Sequence, residues 1–141
     1  MPLKSVWGND EKTILILEFV PPWTWKEYRD GTRAFFSDID YDTPVDVIFL
    51  NPYGDFSLPK GISLPELLRM PIMGQVQSYS VFVRPQPAVR AMVHVFLTEN
   101  PAMKSYFLFA HDLEHAHSLL RAVRQIERQK RPDAANSSES T

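Results

Sequence analysis

At 141 residues, 44% hydrophobic and 23% charged, the chain suits one globular domain and excludes fibrous or low-complexity classes. With no cysteine it excludes disulfides, thiolate metal sites and a cysteine nucleophile, and agrees with a reducing compartment. A formal net charge of -2 gives no bulk attraction to nucleic acid or anionic membranes. No apolar run approaches the ~20 residues of a helical membrane span. Met1–Ser5 carries no signal-peptide apolar region. The expectation is a cytoplasmic protein with neither a nucleic-acid partner nor a membrane span.

Ser5–Trp7 and Thr13–Val20 read as two strands joined by the turn cluster Gly8-Asn9-Asp10-Glu11, an N-terminal β-hairpin. Pro21-Pro22 ends it. Thr24-Trp25-Lys26-Glu27 has capping-box spacing and opens a helix. Trp25, Tyr28, Thr32, Phe35, Phe36 and Ile39 recur at three- and four-residue intervals, which makes one helix face apolar. Gly31 interrupts that helix at roughly 1 kcal/mol relative to Ala, and close packing against a strand would explain it. Val45–Leu50 is apolar apart from Asp46, as in a strand covered on both faces.

Asn51–Gly61 is a loop with two prolines and two glycines. Ser63-Leu64-Pro65-Glu66 is a second capping box, opening a short helix that Pro71 stops. Ser80–Val83 is the next strand. A helix over Ala88–Leu97 follows, with Val89, Met92, Val93, Phe96 and Leu97 on one side, and Pro101 breaks it. Ser105–Phe109 is the last strand. Asp112 caps a final helix to about Gln129, with Leu113, Ala116, Leu120 and Val123 inward. The order β-β-α-β-α-β-α-β-α predicts an α/β fold. Its sheet is mixed, largely parallel and four- or five-stranded, with about four helices. One domain is expected over residues 1–131, with 132–141 a disordered polar tail. Strand order cannot be read from these patterns.

Thr13–Arg124 resembles the STAS-like domains, typified by bacterial anti-sigma factor antagonists, and within them an uncharacterised bacterial branch. The resemblance rests on Phe19-Val20-Pro21-Pro22-Trp23-Thr24-Trp25, Pro44-Val45-Asp46-Val47-Ile48, Leu58-Pro59-Lys60-Gly61 and Asp112-Leu113-Glu114-His115-Ala116, in that order. It implies a protein-interaction or regulatory module. In the antagonists an Asp-Ser-Ser-Gly loop carries a phosphorylatable serine. Matched on its glycine, Gly61, that loop here places Leu58 at the aspartate and Pro59 and Lys60 at the serines. The resemblance therefore implies a module without the usual phosphoserine switch.

No catalytic set assembles in the sequence. Ser57 lacks a G-x-S-x-G context, and Ser63 is accounted for by capping. His111 and His115 are four apart, but His111 precedes the cap residue Asp112, and His117 points about 160° away from His115. Exposed histidines and no metal are expected there. Arg121, Arg124, Arg128, Lys130 and Arg131 make the last helix basic, which suits the dipole near a helix C-terminus. No Gly-rich phosphate loop is present, and no cofactor is implied.

The expected function is a non-catalytic interaction or regulatory module, its partner another protein or a second copy of the chain. Its expected site is the rim at the carboxyl ends of the strands, where open α/β sheets meet their ligands. Tyr53, Asp55, Lys60 and Gly61 fall there, with Arg84 directly after a strand. Trp23 and Trp25 are expected to border a pocket or groove with the Ala88–Leu97 helix. The alternative is a carrier or sensor of a small apolar ligand such as a lipid, suggested by the dense aromatics of the N-terminal half.

Overall fold

In the computed structural model, which describes residues 3–36, 44–58 and 78–139, the chain opens with strands β1 (Leu3–Trp7) and β2 (Ile14–Phe19). They pair antiparallel, Leu3 opposite Phe19 and Trp7 opposite Leu15. The turn between them is closed locally. The Gly8 N–H donates to the Ile14 carbonyl at 2.7 Å. The Asn9 Oδ1 accepts from the N–H groups of Thr13 (3.0 Å) and Ile14 (3.2 Å). An Asn side chain doing the work of a backbone turn is the reason the residue favours such positions.

Helix α1 spans Trp25–Phe36, and its start is the capping box the sequence contains. The Glu27 N–H donates to Thr24 Oγ1 at 3.1 Å, and the Thr24 hydroxyl donates to the Glu27 carboxylate at 3.0 Å. Gly31 lies against β1: a Cβ there would stand 3.2 Å from Leu3 Cδ2. Strand β3 (Asp46–Leu50) is buried along its whole length, as a strand covered on both faces must be. The expected helix from Ser63 to Pro71 lies outside the described residues.

Strand β4 is Ser80–Val83. Helix α2 spans Pro87–Glu99, with Pro87 at its first position, where the missing N–H removes no bond. A 3₁₀ turn over Pro101–Tyr106 follows. It delays strand β5 to Phe107–Ala110, two residues later than the expected start at Ser105. Pro101 preset for a turn, and the Met103 N–H bonded to the Asn100 carbonyl at 3.0 Å, hold Ser105 and Tyr106 out of the ladder. Helix α3 (Leu113–Glu139) begins where expected, with Asp112 Oδ1 accepting from the His115 N–H at 2.7 Å. It does not stop near Gln129. Helical backbone continues through Pro132 to Glu139, across residues expected to be a disordered tail. Ala134 and Ala135, strong helix formers, follow the proline.

The strands lie in the order β1-β2-β3-β4-β5. Pairs β2–β3, β3–β4 and β4–β5 are parallel. The fold is thus α/β, with a five-stranded, mostly parallel mixed sheet and four helical segments among the described residues. Right-handed crossovers between successive neighbours put connecting helices on the same face, and α1 and α2 share one. Leu15, Leu17, Phe19, Val47, Phe49 and Phe82 point to them and meet Tyr28, Val89 and Val93. Helix α3 follows the last described strand and covers the opposite face. There Ile16, Ile48, Leu50, Val81 and Val83 meet Ala116 and Leu120. Alternation along each strand supplies both cores from one sheet.

Candidate functional site

The carboxyl ends of β3 and β4 lie side by side because the two strands are parallel neighbours. The loop after β3 is tied down there. Asn51 Oδ1 accepts from the Tyr53 N–H at 2.9 Å, and its Nδ2 donates to the Asp55 carbonyl at 3.2 Å. Phe56, fully buried, plugs the loop into the core. Its N–H donates to the Arg84 carbonyl and its carbonyl accepts from the Gln86 N–H, both at 2.9 Å. The segment after β4 and the loop after β3 thereby extend the sheet by one parallel bridge, Phe56 to Pro85.

Arg84 sits in the left-handed region, φ 48°, a conformation that costs a non-glycine residue about 1–2 kcal/mol. Its N–H is spent on the Ala110 carbonyl at 2.9 Å. Its side chain turns to Asp55, with Nε 3.1 Å from Oδ1. Asp55 and Arg84, 29 residues apart, are therefore a pair. Both side chains are more than half exposed, so the ion pair contributes at most about 1 kcal/mol. Tyr53, at the turn's tip, is 84% exposed. Lys60 and Gly61 lie outside the described residues.

Trp23 is 3% exposed and sits in the core, 4.7 Å from Phe19 and 6.0 Å from Tyr28 between ring centroids. Trp25 is half-buried and stacks on Tyr28 at 5.3 Å. Phe19, Tyr28, Phe49, Phe56 and Phe82 continue the cluster at 4.9–6.1 Å. The rings expected to border a groove at Trp23 instead fill the space beneath the rim with one another. Aromatic pairs at these separations add about 0.5–1.5 kcal/mol each beyond area burial, so the cluster stiffens the rim from below.

A second constellation lies at the opposite end of the sheet. Asp46, the one charge in β3, is 2% exposed. Its Oδ1 accepts from the Tyr79 N–H at 2.9 Å and from Arg124 Nη2 at 2.5 Å, and its Oδ2 from Arg124 Nε at 3.1 Å. Arg124 Nη1 donates to Glu127 at 2.9 Å, and the Tyr79 hydroxyl donates to the same carboxylate at 2.7 Å. The guanidinium lies 4.9 Å over the Tyr79 ring. Burial pushes the Asp46 carboxyl above its ordinary range, against the pull of the Arg124 fork.

The sequence held a signal for this network, since a charge inside a strand buried on both faces needs a partner. It did not say which. The sequence pattern places Arg124 near a helix C-terminus. With α3 running to Glu139 the residue is mid-helix, and its partner is a carboxylate on β3. Around this network Asn9, Thr13, Ile14, Pro44 and Leu120 with Arg121 and Arg128 line an open hollow of about 510 Å³.

At the start of α3, His111 and His115 stack with centroids 4.6 Å apart. His115 Nδ1 accepts from the His111 N–H at 3.0 Å. Parallel rings with one nitrogen already committed do not converge on a shared ion. Among the described residues no three His, Asp or Glu side chains group as metal ligands, and no helix is long and apolar enough to cross a membrane. No protein-family model, curated protein or solved structure matches the chain.

Proposed function

We propose that the chain is a non-catalytic, STAS-like interaction or regulatory module that receives a protein partner on the rim at the carboxyl ends of β3 and β4. The observation that carries this reading is the contrast within one short loop. Phe56 is fully buried while Tyr53, three residues earlier, is 84% exposed. An exposed aromatic on a loop pinned by backbone bonds loses little freedom on docking, and Tyr is enriched among residues that dominate interface energies. The Asp55–Arg84 pair beside it adds one charge of each sign, which orients a partner more than it strengthens the complex. The strand-helix order also supports the STAS-like part of the reading. The switch does not belong to it, because Pro59 and Lys60 stand where the antagonists carry serine.

The test is quantitative capture of the partner by immobilised wild-type protein, Tyr53→Ala and Lys60→Glu. Both variants should bind at least about fivefold more weakly. Both should unfold within about 0.5 kcal/mol of wild type, as surface substitutions do. Equal capture by all three proteins would remove the rim as the docking site. An apolar-ligand carrier would need room among the aromatic side chains, and the rings from Phe19 to Phe82 occupy it with each other. Native mass spectrometry showing a co-purifying lipid would restore that reading.

A further inference from the structure

From the hollow at the amino ends of β2 and β3 we infer a second binding site, for a small organic acid whose single carboxylate is joined to an apolar body. The hollow holds about 510 Å³, inside the roughly 300–1,000 Å³ of small-molecule sites. Its wall is one face of α3. Arg121, Arg124 and Arg128 recur at three and four residues, so their side chains stand in one row about 10 Å long. Two carboxylates share the lining, Asp46 and Glu127, and both are bonded to Arg124. Among the described residues of the lining, three arginines against two carboxylates leave one positive charge in excess, in a molecule of net charge -2.

That excess sits on Arg121 and Arg128, both exposed at the mouth. Arg121 is held by a bond from its Nη2 to Ser118 Oγ at 3.1 Å. A single negative charge balances the site, and a planar carboxylate matches the guanidinium fork. The floor is of the other kind. Leu120 is 1% exposed, and Ile14 and Pro44 are half-buried beside it. Apolar surface at the bottom and positive charge at the mouth select an acid that enters body first. Asp46 and Arg124 make the wall rigid, because the fork is closed on a side chain fixed in β3. This site lies at the end of the sheet away from the rim and does not depend on the rim's role.

The experiment is a titration of the isotope-labelled full chain, followed by NMR, with benzoate, with the uncharged benzamide and with inorganic phosphate. Benzoate should give saturable shifts confined to Thr13, Ile14 and Leu120–Arg128, with a Kd on the order of millimolar for so small a molecule. Benzamide and phosphate should each bind at least about tenfold more weakly, one lacking the charge and the other the apolar body. Arg121→Gln and Arg128→Gln should each weaken benzoate by about fivefold, while Tyr53→Ala leaves it unchanged. Absence of saturation would overturn the proposal. So would benzamide or phosphate binding as well as benzoate, or variants at Arg121 and Arg128 that match wild type.

Discussion

Arg124 joins three separate parts of the chain through one side chain: the start of β3 through Asp46, the residue before β4 through the Tyr79 ring, and its own helix through Glu127. Removing one partner of a buried pair leaves the other charged in a poor solvent, which typically costs 3–5 kcal/mol, whereas replacing both with apolar groups is often neutral. Asp46 is 4% exposed at its side chain and Arg124 24%, so the lower end of that range applies. Arg124→Ala should lower unfolding free energy by about 3 kcal/mol. Arg124→Lys should lose less, since an ammonium keeps the charge but cannot close a two-pronged bond. Asp46→Val combined with Arg124→Leu should recover most of the loss. Urea unfolding of the three proteins measures this, and an Arg124→Ala loss below about 1 kcal/mol would mean the pair acts as a surface ion pair.

Elements meet closely at two glycines, and the surroundings differ. A Cβ on Gly8 would lie 2.9 Å from Ile14 Cγ2, 3.1 Å from His117 Cε1 and 3.2 Å from Ile16 Cδ1, pressed between the hairpin and α3. On Gly31 it would crowd, among the described residues, the end of the Leu3 side chain at 3.2 Å, which a rotamer change can relieve. Gly8→Ala should therefore destabilise by about 1–3 kcal/mol, the usual range for overpacking. Gly31→Ala should recover part of the ~1 kcal/mol that glycine costs in a helix interior. The two substitutions are chemically identical and should move the thermal midpoint in opposite directions. A shift of the same sign in calorimetry would contradict the packing described for α1 and β1.

Across the whole molecule, the sheet separates two cores, and each holds a buried tyrosine. Tyr28 is fully buried on the α1–α2 face and Tyr79 is 6% exposed on the α3 face. Burial raises both phenols. That of Tyr79 is pushed up to about 12, also by its hydrogen bond to Glu127. A phenol whose pKa is higher folded than unfolded favours the fold fully below its ordinary value of 10.0, and that contribution falls as pH rises through the folded value. These two groups add no slope up to about pH 10, and stability should fall above it. Tyr79→Phe should lower neutral stability by about 1 kcal/mol through the lost hydrogen bond and make the alkaline fall shallower. Urea unfolding midpoints measured from neutral pH to about 12 test both, and an unchanged alkaline slope in Tyr79→Phe would reject the role given to this phenol.

Fold class and almost every described element were legible in the sequence, because the signals involved are local. A two-residue alternation, a capping box four residues long and an asparagine in a turn act on their own neighbours, so Thr24, Asn9 and Asp112 do in the structure what their positions imply. The rim was legible for the same reason, since strand ends are set by the strands, and Arg84 and Asp55 follow two of them. The strand order, the pairing of Asp55 with Arg84 and the burial of Trp23 emerge from the folded arrangement, since a local pattern cannot distinguish a buried aromatic from a surface one. That arrangement alone joins Asp46 to Arg124, 78 residues away. A buried charge announces that it needs a partner, but the partner is chosen by which helix the sheet order lays across that strand, and no local preference carries that information.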